Sequence, residues 1–168
     1  TVPEVNHVSL WDFYPDPEAT SMEDAEYVVE RHRMSRTQIR DLKTRPYFIE
    51  SALQTAIDRG PDYEQKYWER SMEDDDTQPT SERWQVLEFW GYCDLKILEE
   101  NGINVPSEYK DLEEVNCNIW VCNGEVIRFV MNPFKPAHIP YYAVPYEHNP
   151  YSFFGVGIAE NMDDTQTL

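Results

Sequence analysis

The side chains of this sequence with the chemistry to bind a metal or move a proton are four histidines, three cysteines and an abundance of acids. Their spacing gives them little to do together. His7, His32, His138 and His148 are scattered, and His138 and His148 flank a proline-rich stretch with no cysteine or carboxylate at a zinc-ligand spacing. Glu99-Glu100, Glu113-Glu114 and Asp163-Asp164 are adjacent acids, but neighbours in a helix point different ways, and so acidic a chain contains such pairs by composition alone. The run Glu73-Asp74-Asp75-Asp76 could chelate calcium, yet it lacks the alternating ligands and turn glycine of an EF-hand loop and reads as a solvated loop over 73–81. Gly155-Val156-Gly157 lacks the third glycine of a dinucleotide fingerprint, and no Gly-x-x-x-x-Gly-Lys-Ser/Thr loop occurs. Cys117 and Cys122 fall in one strand at a spacing that puts them on opposite faces, so they read as free thiols and not as a metal pair. The sequence thus assigns no catalytic, cofactor-binding or metal-ligating residue, and no cofactor. A small acidic hydrolase would need two carboxylates, or a divalent metal, brought together by the fold.

What does stand out is aromatic. Tyr141, Tyr142, Tyr146, Tyr151, Phe153 and Phe154 crowd a short stretch interrupted by Pro140, Pro145 and Pro150. Two readings stand: a local core under an irregular loop, or a docking face for neighbouring subunits. Tyr and Phe give large contact area at low rotamer cost, and proline lowers the entropy lost when an arm is immobilised. A stand-alone module receiving a peptide or sugar on the same face is a further alternative.

The charge excludes one class of partner. Against 14 basic residues stand 32 acidic ones, a formal net charge of -18, and such a field repels a phosphate backbone. An aromatic content of 14% argues against disorder. No apolar run is long enough to span a bilayer, and no basic-then-apolar leader opens the chain. The ends at Thr1 and Leu168 look like cuts in a longer polypeptide.

The elements that must position these residues are legible from pattern. Asn6 to Trp11 alternates and predicts a strand ending at Tyr14-Pro15-Asp16-Pro17. Ala25 to Met34 predicts a second strand. Ser35-Arg36-Thr37-Gln38 fits a capping box before a short helix with Ile39 and Leu42 inward. Helices are expected over Tyr47–Arg59, ended by Gly60, and over Asp62–Met72. Arg83–Tyr92 is a strand apolar on both sides, with Trp84, Val86, Glu88 and Trp90 on one face. Asp94 caps a helix that Gly102 ends, and Glu108–Glu114 is a further helical turn. Asn123-Gly124 joins two β-rich runs, the strongest hairpin signal available, over 117–131. The 139–146 stretch reads as an edge strand or extended arm. Together these predict one α+β domain over 1–168: a helical part at about 20–72, the acidic loop 73–81, a sheet-rich part 83–157 that is mainly antiparallel, and the start of a helix over 158–168.

Taken in series, several of these pieces resemble the portal, or head-to-tail connector, proteins of tailed bacteriophages, particularly short-tailed ones. They are Phe89-Trp90-Gly91, the Asn123-Gly124 hairpin, Asn132-Pro133-Phe134, Ile139-Pro140-Tyr141, Tyr151-Ser152-Phe153-Phe154-Gly155-Val156-Gly157 and Asp163-Asp164-Thr165-Gln166. Upstream, Trp11-Asp12-Phe13-Tyr14-Pro15-Asp16-Pro17, Asp24-Ala25-Glu26-Tyr27-Val28 and Met34-Ser35 fit as well; the acidic stretch near residue 75 does not. The resemblance implies a fragment of the wing region of a ring, typically a dodecamer, at a capsid vertex. Such a subunit is a structural protein without catalytic residues. Its partners would be other portal subunits, capsid and scaffold proteins, the packaging motor, a tail adaptor and double-stranded DNA passing without sequence-specific contact. Its place would be the virion, after assembly in the host cytoplasm, and no membrane is involved.

Overall fold

The computed structural model describes residues 5–64, 66 and 82–166. Five strands, β1 (Phe13–Pro15), β2 (Tyr27–Met34), β3 (Trp84–Asp94), β4 (Glu114–Cys122) and β5 (Glu125–Met131), form one antiparallel sheet in the order β1-β2-β3-β4-β5. Among the described residues four helices accompany it: α1 (Arg36–Leu42), α2 (Glu50–Asp58), α3 (Leu95–Glu100) and α4 (Ile158–Gln166). The class is α+β, as the sequence predicts.

Local chemistry sets several boundaries. Ser35 caps α1 through a reciprocal box: its hydroxyl accepts from the Gln38 amide, and the Gln38 side chain accepts from the Ser35 amide at 2.8 Å. Asp94 ends β3 and caps α3 by accepting from Lys96 N at 2.7 Å, and Gly102, at φ 75°, closes that helix. Asn123 and Gly124 take φ values of 51° and 75°, the paired positive angles of a tight hairpin turn.

Other expectations need correction. Asn6–Trp11 is no strand: a 3-10 turn occupies Leu10–Asp12, and the sheet begins at Phe13. Helix α2 starts at Glu50 and not Tyr47, because Tyr47 takes φ 71°, Phe48 bridges Arg128, and the Ile49 amide donates to Ile127 O at 2.8 Å. The backbone there is committed to β5 before the helix can claim it. Glu108–Glu114 yields only a 3-10 turn at Ser107–Tyr109, after which β4 begins. No strand forms over 139–146, which is an extended arm. Of the expected helix Asp62–Met72, residues 62–64 are not helical and most of the remainder lies outside the described residues, as does the acidic loop 73–81.

The chain divides into two compact units, one comprising Thr1–Val29, Trp90–Cys117 and Asn132–Leu168, the other Glu30–Phe89 and Asn118–Met131. The second unit packs α1 and α2 on the sheet through Ile39, Leu42, Leu53, Ala56, Ile57, Trp84, Val86, Trp120, Cys122 and Ile127. Burial of each large aliphatic there contributes about 1.5–3 kcal/mol. Trp84 Nε1 donates to Ala56 O at 3.2 Å, and Asn123 Nδ2 donates to Ala56 O and Gly60 O, which ties the end of α2 to the hairpin turn. In the first unit Phe13, Val28, Leu95, Leu98, Val105, Val115 and Cys117 are buried.

Where strands pass from one unit to the other, the alternation of buried positions changes parity. In β4, Val115 and Cys117 are buried, then Asn118, Trp120 and Cys122; in β3, Trp84, Val86 and Glu88 are buried, then Gly91; in β2, Val28, then Arg31. The face of Trp84, Val86, Glu88 and Trp90 is therefore fully buried only as far as Glu88. Cys117 and Cys122, expected on opposite faces, are both buried, Cys117 in the first unit and Cys122 in the core of the second.

Candidate functional site

The arm begins where β5 ends, and asparagine fixes its start. Asn132 N donates to Asn116 O at 3.0 Å, and Asn132 Nδ2 donates to Asn116 Oδ1 and His138 O at 2.8 and 2.9 Å. Asn132 Oδ1 also accepts from Phe134 N at 2.9 Å, so one side chain organises the first turn. Farther on, Glu147 pairs with Val156 in an isolated antiparallel bridge, and Asn149 Oδ1 accepts from Tyr151 N at 3.0 Å. The sequence between is thus a loop held at both feet. Val156 belongs to that bridge, which accounts for Gly155-Val156-Gly157 without a phosphate.

The six aromatic residues singled out by the sequence separate into two groups. Tyr141 and Phe153 both pack on buried Phe13, with ring centroids 5.3 and 5.8 Å away, and Phe154 meets Phe153 edge-on at 5.5 Å. Tyr141 and Phe153 thus hold the arm to Phe13, whereas Phe154 is itself 45% exposed. Tyr142, Tyr146 and Tyr151 stay exposed, at 89%, 71% and 92%. Val144 and, on α4, Ile158 and Met162 join them as exposed apolar side chains that sequence reasoning did not single out; the four-residue spacing of Ile158 and Met162 was the available signal. The local-core reading describes Tyr141 and Phe153, and Tyr142, Tyr146 and Tyr151 lie outside that core.

Chemistry gathers elsewhere, in the second unit. His32 Nε2 lies 2.8 Å from Glu88 Oε2, and His32 Nδ1 lies 3.5 Å from Glu30 Oε1. Glu88 is buried, and Asn118 Nδ2 donates to its other oxygen, Oε1, at 2.9 Å and to Phe89 O at 3.2 Å. The His32 ring stacks on Trp120 (5.0 Å, 17°), and Phe48 meets Trp120 edge-on at 5.4 Å. The Arg128 guanidinium stands over both Phe48 and Trp120, and burial lowers its pKa, against the Glu88 charge that raises it. Glu30 and His32, two apart on β2, share a face by strand periodicity; nothing local announced that Glu88 would meet them.

The remaining candidates are structural. His7, His138 and His148 are exposed, as are Glu99, Glu100, Glu113, Glu114 and Asp163. Asp16, Glu18, Asp24 and Glu26 line an open depression with Tyr27, but Asp16 accepts from the Glu18 and Glu26 amides and Asp24 from the Thr20 hydroxyl. These are turn-making bonds, and the Thr20 hydroxyl holds Asp24 below the usual carboxylate value. All three cysteines are free. Burial pushes the Cys117 and Cys122 thiols up to about 12, so neither is a nucleophile.

The first unit thus presents a pinned arm with exposed tyrosines. The family described as phage SU10 portal protein matches residues 1–168, the whole chain. The chain belongs to that portal family. The match runs through 73–81, which the motif resemblance had left out. No curated protein matches it. A portal protein is a structural component of the virion, and the portal family is not an enzyme family. Among the described residues no helix of this portal chain is long and apolar enough to cross a membrane.

Proposed function

We propose that this chain forms part of the wing region of a portal ring at the capsid vertex, and that Tyr142, Tyr146 and Tyr151 dock against neighbouring subunits. The observation that carries the reading is the family match over the whole chain. The pinned arm supports it: Tyr141 and Phe153 anchor a loop on which Tyr142, Tyr146 and Tyr151 are exposed, which supplies contact area already ordered before assembly. The ring would be a homo-oligomer, typically a dodecamer in the family, in contact with capsid, scaffold, packaging motor and tail adaptor. Double-stranded DNA would pass through its channel during packaging and ejection. A net charge of -18 suits a wall that DNA slides past without sticking. Assembly would take place in the host cytoplasm. The test is electron microscopy and native mass measurement of the portal polypeptide containing this chain, as wild type and with Tyr142, Tyr146 and Tyr151 changed to Ser. Rings with a central hole from the wild type, and subunits that fold but fail to close rings in the variant, are expected. A wild-type polypeptide that stays monomeric overturns the proposal, and so do unchanged rings in the variant.

A further inference from the structure

Glu30, His32 and Glu88 bring two carboxylates and an imidazole together on neighbouring strands of the second unit, with one donor atom from each lying within 4.8 Å of the others. We propose that these three side chains form a binding site for a transition-series divalent cation of the zinc type. The inference is independent of the portal reading, and nothing in the resemblance that led to that reading requires it.

The donor set selects the cation. An imidazole nitrogen with two carboxylate oxygens suits zinc, cobalt or nickel better than magnesium or calcium, which take oxygen ligands. Bonds of about 2.0–2.2 Å to such an ion hold donors roughly 3.3 Å apart in a tetrahedron. The 2.8 Å between His32 Nε2 and Glu88 Oε2 must open slightly to admit it, and Glu30 must swing from the Nδ1 side of the ring toward the ion. The Glu30 side chain keeps 16% of its surface exposed.

The surroundings resemble the outer shell of a metal site. Asn118 is 1% exposed and donates to Glu88 Oε1, which fixes that carboxylate with Oε2 turned toward His32. The Oδ1 of Asn118 is buried without a hydrogen-bond partner. Trp120 holds the imidazole plane by stacking. Three protein donors leave at least one position for water. The Arg128 charge acts on Glu88, and Arg31 and Arg33 flank His32 in sequence with their guanidinium groups over Tyr63. The two carboxylates answer part of this positive charge, so the site is expected to be selective for strongly coordinating ions.

Metal binding must displace any proton held on the coordinating imidazole nitrogen. Affinity therefore falls as pH falls. The experiment titrates the intact chain with Co2+ alone, following visible absorption, and with Zn2+ alone, by calorimetry. His32→Phe keeps the ring on Trp120 and removes both nitrogens; Glu30→Gln changes one half-buried donor and leaves the core untouched. One equivalent of cobalt with visible bands is expected in the wild type, with affinity lowered more than about tenfold in each variant, since even outer-shell losses have effects of that size. Zinc should also raise the melting temperature of the wild type and not of the variants. No binding up to millimolar ion, or equal binding by wild type and Glu30→Gln, overturns the proposal. Should His32→Phe fail to fold, the Glu30→Gln comparison decides it alone.

Discussion

Gly91 in β3 lies against Tyr27 in β2 so closely that a β-carbon on Gly91 would fall 2.6 Å from the Tyr27 Cβ and 2.5 Å from Glu26 O. Its φ of 152° is also one that side-chain-bearing residues rarely adopt. Both contacts are to backbone or to the root of a side chain, so neither neighbour can rotate away. Gly91→Ala is expected to destabilise the chain by at least about 2 kcal/mol, through overpacking and backbone strain together. Urea denaturation checks this, with a lowered midpoint at unchanged slope as the expected result.

The two groups of arm aromatics should behave oppositely. Phe153→Ala removes a ring packed on Phe13 and Phe154, and a loss of about 2 kcal/mol is expected, less than for a fully buried phenylalanine. Changing exposed Tyr142, Tyr146 and Tyr151 to Ser should leave stability within about 0.5 kcal/mol. Thermal or urea unfolding of the two variants side by side measures the contrast, and equal losses would contradict the division of the arm into anchor and face.

The buried thiols make a pH prediction with a definite sign. Desolvation raises Cys117 and Cys122 from an ordinary 9.0 to about 12, with Cys93 and Asp62 as the respective secondary causes. Below pH 9 the thiols are protonated whether the chain is folded or not. As pH rises from about 9 to about 12 the unfolded chain loses those protons and the native one keeps them, so stability falls across that window. A disulfide-exchange reagent at pH 8 should label Cys93 slowly, because its thiol is raised by desolvation and by Asp94, and should reach Cys117 and Cys122 only under denaturing conditions.

Features set by nearest neighbours were readable from sequence: the Ser35–Gln38 box, the Asp94 cap and the Asn123-Gly124 turn each need only a few residues. Features set by distant partners were not. Tyr47–Ile49 looks helical until the edge of β5 takes its backbone. Glu88 reads as one polar position in an apolar strand, and only pairing of β2 beside β3 brings it to His32. Tyr141 and Phe153 differ from Tyr142 and Tyr151 through Phe13, a residue at the opposite end of the chain. Alternation along β4 could not show that Cys117 and Cys122 would both be buried, because the buried positions change parity between them.

The chain passes between its two compact units four times, after Val29, Phe89, Cys117 and Met131. Neither unit is a cassette: no single cut releases one as a continuous peptide, and neither can finish forming during synthesis until residues far downstream have emerged. Transplanting the tyrosine-bearing arm onto another scaffold would accordingly mean carrying Phe13 and Asn116 with it, and with them the strands of which they are part.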